Sequence, residues 1–224
     1  MASWLNQRNA AMGGILAMVL LVVGNFMAGN PPKFDASSAS IADFYSSHHR
    51  TLLIAAVLTG IAIPLYIWFV AYLATAVDGA LGRAIAIGGI LIAACAATGD
   101  TLAVTLAHGV RLADSAGVYR LTYQFETLAY SRLFWAGLGV AVPLAVAAAR
   151  GMFKAWVGYV AWVQAVLYLL GGLSLKSSGF FSPTGGMAIV AYFAFFVGTA
   201  VIAFGMWQSS PGEARAQHAA PTPV

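Results

Sequence analysis

Six separate stretches of this chain, at about 10–29, 51–77, 85–109, 120–149, 155–174 and 185–207, are almost wholly apolar and each about 20 residues or longer. That constrains the fold more than any other feature. About 20 apolar residues in a helix reach across the hydrocarbon of a bilayer. In lipid a backbone must satisfy its own hydrogen bonds, which only helices and closed barrels do. None of the stretches alternates polar with apolar residues as a barrel strand would. Composition agrees: 61% of residues are hydrophobic and 8% charged, where a soluble domain carries roughly a quarter charged. The expected fold is all-α, a polytopic bundle of six transmembrane helices at 1–207, with a polar tail at 208–224.

The first stretch is read as a retained helix rather than a signal peptide, because it completes an even bundle. Asn30-Pro31-Pro32 should end it. Between the first two stretches, Ser37 to Ser40 offer N-caps for a short amphipathic segment around Ile41, Phe44 and Tyr45. Gly13-Gly14 and Gly88-Gly89 sit at similar depths in the first and third stretches, a sign of close helix packing. The single cysteine, Cys95, cannot form an internal disulfide.

The net charge of +4 is scattered over segment ends, so no nucleic-acid surface is expected. Counting Lys and Arg by side gives five against five. The short, basic loops at 78–84 and 150–154 place both termini in the cytoplasm. The Ala, Gly and Val-rich composition suits a bacterial inner membrane.

Chemistry concentrates at 100–132. Asp100, Arg111, Asp114, Arg120, Glu126 and Arg132 are a third of the chain's formal charges. With about 1.5 Å of rise per residue, Asp100 lies roughly 25 Å above Arg83, and Arg132 roughly 27 Å above Arg150 on the antiparallel neighbour. Asp100 and Arg132 are therefore expected to pair. His108 and Glu126 form a second tier near the outer surface, with His49 at a comparable level. Tyr119, Tyr123, Glu126 and Tyr130 fall within about 60° of one helical stripe.

The expected ligand-binding set is thus His49, Asp100, His108, Tyr119, Tyr123, Glu126, Tyr130 and Arg132. Asp100 and Glu126 are the candidate proton donors if the protein is an enzyme. His49, His108 and Glu126 are types that suit zinc or iron. No HxxxH or ExxH spacing supports such a site, so no metal is expected, and the sequence names no cofactor. No nucleophile elbow, Walker loop, dinucleotide fingerprint or CxxC is present.

The motifs FYSSHHR before the second stretch and SSGFFSPTGG before the sixth resemble those of a group of actinobacterial integral membrane proteins of unknown function. An FY-x-x-H-R-like segment in that group corresponds here to Phe44, Tyr45, His49 and Arg50. The resemblance implies a six-helix bundle and no activity. Three functions stay open. The first is binding or transport of a small amphipathic or lipid-like molecule through an outward-facing polar and aromatic pocket. The second is a membrane-embedded isomerase or cyclase acting on a lipid or isoprenoid. The third is an accessory subunit of a membrane complex. The bilayer is the expected environment, with a second copy or a complex partner as further candidate partners.

Overall fold

The computed structural model describes residues 7–77, 79–109 and 116–208. They form seven helices: α1 (Gln7–Ala28), α2 (Ser38–Ser47), α3 (His49–Thr75), α4 (Gly79–Gly109), α5 (Ala116–Ala149), α6 (Ala155–Gly172) and α7 (Gly186–Gln208). Six of them, all but α2, are long and apolar enough to cross a membrane. The chain is a multi-pass membrane protein of six spanning helices, as the apolar stretches predict.

Consecutive spanning helices pack side by side, and α1 packs on α7, so the six close into a ring. The Gln7 amide donates to the Met206 carbonyl at 2.6 Å, tying the start of α1 to the end of α7. One end of the ring, here called the terminal end, therefore carries the start of α1 and the end of α7. The other, the capped end, carries α2. Helix α7 runs through Gln208, the first residue of the expected polar tail; residues 209–224, the rest of that tail, lie outside those described, as do Arg111 and Asp114.

The double glycines mark close packing, as expected. A Cβ on Gly14 would meet the Phe69 ring at 2.8 Å, and one on Gly88 would meet the Gly139 carbonyl carbon at 2.7 Å. Small residues of this kind let helix backbones approach where lipid supplies no hydrophobic drive for association.

Helix α1 stops at Ala28, and Gly29 takes φ +79°; the Asn-Pro-Pro run follows, where a helix cannot continue. The Ser37 hydroxyl then accepts from the Ser40 amide at 3.3 Å and caps α2. This ten-residue helix buries Ile41 and Tyr45.

Most of the buried apolar residues fall into two clusters. The main one fills the ring, with Tyr66, Phe69, Phe134, Tyr168 and Phe195 among its members. The smaller one lies under α2: Ile41, Tyr45, Leu52, Leu106, Ala107, Tyr119 and Tyr123.

Candidate functional site

Between the two clusters lies a polar layer. On α5 the small cluster ends at Tyr123 and the main one begins at Leu133. Glu126, Thr127, Tyr130 and Ser131 occupy the interval. On α4 Gly99 and Asp100 fall between Ala103 and Ala96, and on α3 Thr59 falls between Leu53 and Ala62. Three helices thus interrupt their apolar faces at one level.

Glu126 is 9% exposed. The Tyr45 hydroxyl, on α2, donates to its Oε2. Burial and the adjacent Glu126 carboxylate push the Tyr45 phenol well above its ordinary pKa, so it remains a proton donor. The rings of Tyr119 and Tyr123 stand edge-on to Tyr45, with centroids 6.3 and 6.2 Å away. Their hydroxyls point elsewhere. Tyr119 donates to the Leu106 carbonyl at 2.8 Å, and Tyr123 donates to the Pro32 carbonyl.

Asp100 is half-buried. The Tyr130 hydroxyl donates to its Oδ1 at 2.5 Å, and Thr59 is also directed at this carboxyl. Gly99 makes this possible: a Cβ there would sit 2.7 Å from the Tyr130 ring, which lies across the bare backbone of α4. The two carboxyls are close enough for their charges to interact, and Tyr130 feels both.

The expected pairing of Asp100 with Arg132 does not form. Arg132 is exposed, and the hydrogen-bond partner of Asp100 is a phenol. Equal depth on neighbouring helices is not equal azimuth: Arg132 is two residues beyond Tyr130, about 200° round the helix. Among the described residues, no Lys or Arg forms an ion pair with either carboxyl. His108 and His49 do not join Glu126 either. Both are exposed and lie against each other, ring centroids 5.4 Å apart, and His108 Nδ1 bonds the Val104 carbonyl of its own helix. Among the described residues no three His, Cys, Asp or Glu side chains gather as metal ligands would.

Comparison with family models, curated proteins and solved structures finds no match to this chain. The site must speak for itself.

Of the sequence-derived set, the structure brings together Asp100, Tyr119, Tyr123, Glu126 and Tyr130, and leaves His49, His108 and Arg132 outside. It adds Tyr45 and Thr59. Tyr45 carried a signal, since it sits on the apolar face of the one amphipathic segment, but nothing in the sequence aims it at Glu126. Thr59 is one of several hydroxyl residues along a mostly apolar helix, with nothing in the sequence to single it out.

The layer is also covered. Besides the Tyr45 and Tyr123 bonds, the Ser38 hydroxyl donates to the Ala116 carbonyl at 2.7 Å, and the Phe34 amide donates to the Thr184 hydroxyl at 3.0 Å. Helix α2 and the segment before it lie over the side of the layer on which a pocket is expected to open.

Proposed function

We propose that the protein binds or transports a small amphipathic molecule whose polar or cationic head engages the Glu126–Asp100 layer. The observation that carries this reading is the buried Glu126 carboxyl group, held by the Tyr45 phenol and by no cation among the described residues. A charge kept in a membrane span to hold the fold is normally neutralised by an opposite charge. A carboxylate left to hydrogen-bonding phenols can instead exchange partners, and phenol faces attract cations. Apolar walls with few convergent polar groups are the usual make-up of a ligand pocket. Here α2 would have to lift for a ligand to enter.

A lipophilic cation, tetraphenylphosphonium, serves as the probe. The intact protein in nanodiscs should bind it, and Glu126→Gln, which keeps the side-chain shape, should melt nearly as before yet bind at least tenfold more weakly. Unchanged binding together with a large fall in melting temperature would make Glu126 structural and favour the accessory-subunit reading.

The same proposal places the chain in a bacterial inner membrane with the terminal end in the cytoplasm and α2 outside, on the loop charges and composition given above. A membrane-impermeant maleimide should then modify a cysteine placed at Ser38 in intact cells and spare one at Ala80. The opposite pattern reverses the orientation.

A further inference from the structure

A second polar feature lies on the ring axis, away from the carboxyl layer. A cavity of about 20 Å³ is walled mostly by apolar side chains, Ile92 of α4 among them, and takes its polar groups from Tyr66 of α3, Gln164 and Tyr168 of α6, and Thr199 of α7. Ile92 is eight residues from Asp100 along α4, roughly 12 Å toward the terminal end. Gln164 falls at the middle of α6, so the cavity is near mid-membrane.

All four polar side chains are at least nine-tenths buried. The Gln164 amide donates to the Tyr168 hydroxyl at 2.9 Å and to the Ala194 carbonyl at 3.1 Å. Gly198 admits it: a Cβ there would lie 2.5 Å from the Gln164 amide. These bonds use the two amide protons and leave the Gln164 carbonyl oxygen and the Tyr168 proton to be satisfied. The Tyr66 and Thr199 hydroxyls have no hydrogen-bond partner among the described residues. Among the described residues no fully occluded side-chain oxygen lacks a partner, so these hydroxyl oxygens open onto free space. The cavity they line is that space.

We propose that this cavity is a mid-membrane water site, in which one water, or two, bridges Tyr66, Gln164, Tyr168 and Thr199. A water needs roughly 10–15 Å³ and two to four polar partners; the cavity supplies both. Cavities that stay empty are lined by apolar groups alone, so the four polar groups here decide the occupant. This does not rest on the function proposed above.

The test uses the intact protein in nanodiscs. Radiolysis of bound water generates hydroxyl radicals in place. Tyr66 and Tyr168 should be oxidised in the native protein, and the Tyr168 oxidation should fall severalfold in a Tyr66→Phe, Thr199→Val double variant. Each single variant should also melt lower, because it strips a hydrogen bond from the water. In a dry cavity the same variants would remove an unpartnered hydroxyl and melt higher. The labelling decides: absence of Tyr168 oxidation in the native protein overturns the proposal, whatever the melting shows.

Discussion

The two apolar clusters are built on different principles. The main cluster is closed by the ring itself: all six spanning helices contribute buried residues to it, and the backbones of α4 and α5 touch at Gly88 and Gly139. The small cluster depends on one ten-residue helix laid across the ring's end. Among the described residues it holds seven buried apolar side chains against 28 in the main cluster. Its attachment is a handful of hydrogen bonds, one of them to Glu126. Few buried contacts and a hydrogen-bonded seam are what a locally opening unit is made of. The difference teaches that the carboxyl layer sits at the boundary between a part that must stay closed and a part that can afford to open.

Two substitutions set the clusters against each other, and they give the largest expected effect. Gly88→Val places its Cβ 2.7 Å from the Gly139 carbonyl carbon and 2.9 Å from the Val140 nitrogen. Backbone cannot step aside as a side chain can, so α4 and α5 must part. The protein should lose its cooperative melt in detergent and yield little monodisperse material by size exclusion. Tyr45→Phe should leave that melt nearly intact. Deprived of its donor, the buried Glu126 carboxyl costs about 1–3 kcal/mol, and the cheapest relief is to lift α2. Amide exchange across Ser38–Ser47 should rise roughly tenfold to a hundredfold, since about 1.4 kcal/mol is a factor of ten, while exchange in α6 stays as it was. Equal acceleration in both helices would mean that the two clusters form one cooperative unit.

The fold was legible because a bilayer imposes a simple rule, about 20 apolar residues per crossing, and all six stretches obey it. The α2 segment was legible for an equally local reason, the serine cap followed by Ile41, Phe44 and Tyr45. The site was half legible. Tyr119, Tyr123, Glu126 and Tyr130 share a helical stripe, and any helix turns a stripe toward one neighbour. Partner choice was not legible, because it depends on how each helix is rotated about its axis. That rotation is set by small residues such as Gly99, whose bare backbone gives Tyr130 its seat beside Asp100. Depth alone suggested Arg132, and depth is only one of the two coordinates that a helical residue has.

The smallest effect expected concerns that same pairing and sharpens where the boundary layer is coupled. Asp100 takes its hydrogen bond from Tyr130 at 2.5 Å, while Arg132 is exposed. Asp100→Asn and Tyr130→Phe remove the two ends of one contact, so each should lower the melting temperature and the double variant should lower it by less than the sum. Contacting residues typically show interaction energies of about 0.5–3 kcal/mol in such a cycle, and separated ones add within about 0.5 kcal/mol. Arg132→Gln should alone change the melting temperature little and should add to Asp100→Asn without any interaction. An additive Asp100–Tyr130 cycle beside a coupled Asp100–Arg132 cycle would restore the ion pair. The carboxyl layer would then be a structural brace between α4 and α5 and no longer a seam beneath α2.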